Sequence, residues 1–145
     1  MLAGLICMAE PVAAANPARH RVRILRVDHV VDAGTPGWDT SMMNSRLPKF
    51  ADATASAPRE IFSVCWEPEI AAPAGILVTF ELLQEHAPQV RFLSEKYDWV
   101  VDGEEKAVFR IDVGGTKPKG MVTAWRARVV YRGRLLAETT SATWR

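Results

Sequence analysis

Apolar and polar residues alternate with a period of two through most of the chain from Arg21 to Trp144. Side chains that share a face at every second position belong to half-buried strands, and a helix cannot use that pattern. In 60–66, Phe62, Val64 and Trp66 take one face, and Ile61, Ser63 and Cys65 the other. In 75–83, Ile76, Val78, Phe80 and Leu82 align against Thr79 and Glu81. In 106–113, Ala107, Phe109, Ile111 and Val113 point inward, with Arg110 and Asp112 outward. In 121–131, Trp125, Ala127 and Val129 oppose Arg126 and Arg128. The run 21–31 alternates with one slip at Ile24-Leu25, which predicts a bulge. Weaker strands follow the same rule at 89–93, at Tyr97-Trp99-Val101, and in the Thr-rich stretch 135–144.

The connections agree with this reading. Asp102-Gly103 predicts a two-residue hairpin between the Trp99 strand and the Phe109 strand, and Arg132-Gly133 predicts another between the last two strands. Pro73-Ala74-Gly75, His86-Ala87-Pro88 and Gly114-Gly115 mark further boundaries. Seven or eight short strands with such spacing predict an all-β fold, an antiparallel sandwich. At 145 residues and 48 % hydrophobic content the chain can build one sizeable core. A formal charge of +1 argues against a dedicated nucleic-acid binder. There is no uncharged apolar run of about 18 residues, so no integral membrane span is expected.

Residues 1–15 (MLAGLICMAEPVAAA) are set apart. An apolar stretch is followed by Pro11 and then by small residues at Ala13 and Ala15, the pattern of a secretory signal peptide cut after Ala15. That predicts export to the periplasm, the cell surface or the medium. Ile6 before Cys7 excludes a lipoprotein anchor. Cleavage removes Cys7 and leaves Cys65 alone, so the mature domain, 16–145, has no internal disulfide. Cys65 lies in an apolar strand pattern, where it reads as a buried thiol. The connection at 33–59 is too long for a plain turn, and its Trp38, Met42, Met43, Leu47 and Phe50 read as a lid on one end of the sandwich or as a binding surface.

The strand number, the short hairpins and a Trp in a central strand, Trp66 or Trp125, resemble an immunoglobulin-like β-sandwich. A single mature Cys and the lack of a Tyr-x-Cys corner make the chain more similar to disulfide-free bacterial immunoglobulin-like and fibronectin-like modules. Some of these are small exported proteins encoded with pilus-like machinery. The resemblance implies a module that acts by protein–protein contact in a pilus or cell envelope. It carries over no catalytic residue, since the family shares no catalytic motif.

The residues themselves supply little catalytic chemistry. Neither G-x-S-x-G, H-E-x-x-H nor a Walker loop occurs. Of the three histidines, His29 has Asp28 and Asp32 nearby, but strand alternation puts Asp28 on the opposite face, so no metal site is expected. Asp98, Asp102, Glu104 and Glu105 read as a solvated turn rather than a calcium site. The Gly114-Gly115-Thr116-Lys117 loop is of a composition that can cradle an anion through backbone N–H groups, yet no helix follows it, and a hairpin loop is the better reading. Lys117, Lys119, Arg126, Arg128, Arg132 and Arg134 are six bases with no acid among them, and Arg126 and Arg128 share one strand face. Trp66 and Trp125 read as core, whereas Trp38, Trp99 and Trp144 are candidates for exposure. The expected binding surface comprises Trp38, Trp99, Arg126 and Arg128. The reading is a non-enzymatic module without cofactor that binds a protein partner. The alternative is a carbohydrate-binding module that stacks a glycan on an exposed Trp.

Overall fold

The alternating segments form seven strands in a computed structural model that describes residues 21–34 and 57–145. They are β1 (Val22–Asp32), β2 (Arg59–Pro68), β3 (Ile76–Gln84), β4 (Ala87–Tyr97), β5 (Glu105–Asp112), β6 (Val122–Tyr131) and β7 (Arg134–Thr140). One sheet has the order β1-β2-β5 and the other β4-β3-β6-β7, with every pair antiparallel. The two sheets make an immunoglobulin-like β-sandwich. No helix among the described residues is long and apolar enough to cross a membrane. The segment 1–15, expected to be a signal peptide, and 35–56, which includes Trp38, lie outside the described residues.

In β2, β3, β5 and β6 the inward positions are those the alternation assigns, whereas in β4 the aligned pair Val90 and Phe92 faces outward and is exposed. Phe62, Val64 and Trp66 of β2 meet Ile76, Val78, Phe80 and Leu82 of β3, and all are buried. Phe80 is the hub: its ring lies 5.0 Å from Phe62, 5.2 Å from Phe109 and 5.8 Å from Trp125. Truncating such a residue to Ala typically costs about 3–5 kcal/mol. Cys65 is a buried free thiol, so contact between the sheets does the work of a bridge. The pairing of β1 with β2 shifts register between Ile24 and Arg26, where the sequence slips.

One expected hairpin does not form. β4 continues unbroken to Tyr97, and no strand follows through Trp99 to Val101; Val101 makes only an isolated bridge with Ala72. β4 and β5 belong to different sheets, so Asp102-Gly103 lies on a crossing between layers. The physical reason is that a turn dipeptide fixes a change of direction but not a partner. β5 takes the open edge of β2, where Phe109 and Ile111 reach the core from the second layer. The Arg132-Gly133 hairpin does form. Both residues have positive φ, 47° and 75°, as a tight turn matched to strand twist requires.

Polar side chains tie the two layers together. Glu60 Oε2 of β2 accepts the Val122 N–H of β6 at 2.6 Å. Glu95 Oε2 of β4 accepts the Val108 N–H of β5 at 3.1 Å. Gln84 Nε2 of β3 donates to the Asp112 carbonyl of β5 at 3.1 Å. The described connections gather at two ends: residues 33–34 and 57–58 beside β1 and β2, the Glu85-His86 turn and 113–121 at one, and 69–75, 98–104 and the Arg132-Gly133 turn at the other.

Candidate binding surface

The second of these ends is built from the core outward. Tyr97 closes β4 with its ring turned inward and is 1 % exposed. It meets the buried Trp66 edge-on at 5.1 Å and 82°. On its other side it meets Trp99 at 5.2 Å and 65°. Three aromatic rings thus run from the core to the surface, and Trp99 at their outer end is 53 % exposed. Burial pushes the Tyr97 hydroxyl up to about 12, with the neighbouring Trp66 indole N–H working in the opposite direction.

The loops here are held by backbone bonds. Ala72 N–H donates to the Val101 carbonyl at 2.7 Å, and Val101 N–H donates back at 2.9 Å. Both side chains are buried. Gly75 N–H donates to the Tyr97 carbonyl at 2.7 Å. On these loops Val100, next to Val101 of the bridge, is 62 % exposed, and Ile70, two residues before Ala72, is 71 % exposed. Lys96 pairs with Asp98 at 2.6 Å, and Arg26 pairs with Glu104 at 3.4 Å, so this acidic turn is partly neutralised. Large apolar groups on rigid loops with a charged rim have the anatomy of a protein-contact surface.

Arg126 and Arg128 do share the outer face of β6, but that face is balanced in charge. Glu81 of β3 sits between them: its Oε2 accepts from Arg126 Nε at 3.0 Å and from Arg126 Nη2, and its Oε1 accepts from Arg128 Nη1 at 3.3 Å. Arg128 Nε also donates to Glu138 Oε2 of β7 at 2.6 Å. The Arg126 guanidinium lies over the Trp144 ring, 4.8 Å from its centroid. Register explains this, since Glu81 pairs with Arg126 and Glu138 with Arg128. The structure does not bring this pair to Trp99. Tyr97 pairs with Ile76 and Arg126 with Glu81, five positions along β3, or roughly 17 Å.

Ile70 and Val100 are not distinguishable from the sequence as surface anchors. Their signal is faint: Ile70 is the one large apolar residue between Pro68 and Pro73, and Val100 falls on the polar face of an expected strand that does not form. His29 takes a structural place. Its Nε2 is 2.8 Å from Glu60 Oε1, and its ring stacks on Phe62 at 4.4 Å. Asp28, on the other face, accepts from Arg26 Nε at 3.1 Å.

No protein-family model matches the chain, and no curated protein matches it. Among solved structures, a crystal structure of a protein from Akkermansia muciniphila is similar, with a TM-score of 0.52. The two chains are 14 % identical, and the match covers 88 % of this chain and 74 % of the other. At that identity the likeness is one of fold.

Proposed function

We propose that the chain is a non-enzymatic, exported immunoglobulin-like module that binds a protein partner through its Trp99 end, within a pilus or other cell-envelope assembly. The observation that carries this reading is Trp99, exposed yet anchored through Tyr97 to Trp66 on loops locked by the Ala72–Val101 bridge. A rigid aromatic loses little conformational freedom on binding, and Trp is enriched among the residues that dominate interface energy. Val100 and Ile70 favour a protein over a glycan, because aliphatic groups offer a sugar no hydrogen bonds. The resemblance to exported bacterial modules supports the envelope setting, and the leader pattern of residues 1–15 supports export.

The test is to express tagged full-length chain in the producing cell, fractionate it, and purify its complex. The chain is expected in the envelope or medium with a defined partner. Trp99→Ala is expected to lose that partner while changing folding stability by no more than about 1 kcal/mol. A cytosolic chain contradicts export. An association that survives Trp99→Ala contradicts the assigned surface. Glycan binding that disappears in the same variant moves the assignment to the carbohydrate-binding alternative.

A further inference from the structure

The opposite end of the sandwich holds a cleft of about 290 Å³ lined by Arg91, Asp112, Thr116, Lys117 and Lys119, with the Gly114-Gly115 backbone. We propose that this cleft binds a tetrahedral oxyanion, the chemistry shared by phosphate and sulfate groups.

The charges around it differ from those elsewhere on the molecule. Arg126 and Arg128 are matched by Glu81 and Glu138. Arg91, Lys117 and Lys119 make no ion pair among the described residues. Three cations against the single carboxylate of Asp112 leave the cleft two charges positive, which suits a dianion. Asp112 also disfavours indiscriminate anion binding, since a ligand must arrange its negative oxygens toward the cations and away from that carboxylate.

The cleft is held in shape before any ligand arrives. Gln84, which is buried, accepts from Arg91 Nη1 at 2.8 Å through its Oε1. Its Nε2 donates to the carbonyls of Asp112 at 3.1 Å and Gly120 at 2.9 Å, one at each foot of the 113–121 loop. One buried amide therefore fixes both the guanidinium and the loop. The feet are pinned again where Val113 N–H donates to the Pro58 carbonyl at 3.2 Å and His86 N–H donates to the Lys119 carbonyl at 2.9 Å. Gly120 has φ +75°, and a Cβ there would come within 2.8 Å of Glu85 Cβ, so the close approach of loop and turn requires glycine. The Glu85 carboxylate is directed at the Met121 N–H, 3.2 Å away, and does not line the cleft. Within the loop, Gly115 at φ +103° adopts a left-handed turn of the kind that can present successive N–H groups to an anion, and Thr116 adds a hydroxyl to the lining.

The experiment is an amide NMR titration of the full chain at about 0.15 M salt, where exposed charges are screened beyond roughly 8 Å. Inorganic phosphate and then inorganic sulfate are added. Saturable shifts are expected at Gly114, Gly115 and Thr116. The double variant Lys117→Ala, Lys119→Ala is expected to bind at least about tenfold more weakly with an unchanged spectrum elsewhere, and Arg91→Gln to weaken binding separately. Glycerol 3-phosphate compared with a 6-sulfated monosaccharide then identifies the carrier by which binds more tightly. Shifts that rise linearly without saturating, or that persist in the double variant, overturn the proposal. The site is independent of the Trp99 surface, so Trp99→Ala leaves the titration unaltered.

Discussion

Tyr97 stands between two tryptophans, one sealed in the core and one open to solvent, and its hydroxyl is held neutral by burial. Its raised value of about 12, against an ordinary 10.0, has a definite consequence for stability. The folded state keeps the phenol proton that the unfolded state releases, so this contribution is complete below pH 10.0 and is lost as pH rises toward about 12. Denaturant titrations across that range are expected to show the loss, and Tyr97→Phe to remove that part of it. Glu60 is a buried residue of a different kind, held by hydrogen bonds. It is 1 % exposed, and both its oxygens are engaged, one by His29 and one by the Val122 N–H. Glu60→Ala leaves that N–H without its acceptor and is expected to cost about 1–3 kcal/mol in chemical denaturation, whereas Glu60→Gln retains an acceptor and costs less. The sequence distinguishes Trp66 from Trp99 correctly, because a face of Phe62, Val64 and Trp66 is apolar throughout while Trp99 has acidic neighbours. It could not reveal that Arg126 and Arg128 are matched by Glu81 and Glu138, since those partners lie 45 and 10 positions away, and only register joins them.

At the scale of strands, strongly alternating segments are legible to within a residue or two, down to the Ile24–Arg26 bulge. Pairing is less legible. Local turn chemistry at Asp102-Gly103 favours a hairpin, but the layer to which a strand belongs is decided by core packing far away in sequence. The same is true of β4, an edge strand that takes Pro88 because its outer N–H groups need no ladder partner. Its Glu95 reaches across the gap to the Val108 N–H on the open edge of β5. An edge donor satisfied by a side chain is unavailable to a foreign strand. Hydrogen exchange is expected to find the Val108 amide protected in the native chain and to lose that protection in Glu95→Ala, while the Phe62 amide in the centre of its sheet stays protected.

Over the whole molecule, one stapleless core separates two ends of different character. One end presents Trp99, Val100 and Ile70 on bridged loops; the other gathers Arg91, Lys117 and Lys119 around a cleft. Only part of each grouping is visible along the chain, Trp99-Val100 in one and Gly114 to Lys119 in the other; Ile70 and Arg91 join them only when the two sheets close. The outer face of the four-stranded sheet, by contrast, has already matched its own charges. The most direct measurement of the proposed role is site-specific photo-crosslinking of the full chain in the cells that produce it, with the crosslinker placed in turn at positions 99, 70 and 126. A single discrete adduct from 99 and 70, absent from 126, is the result predicted. An adduct from 126 with none from 99 or 70 would contradict it.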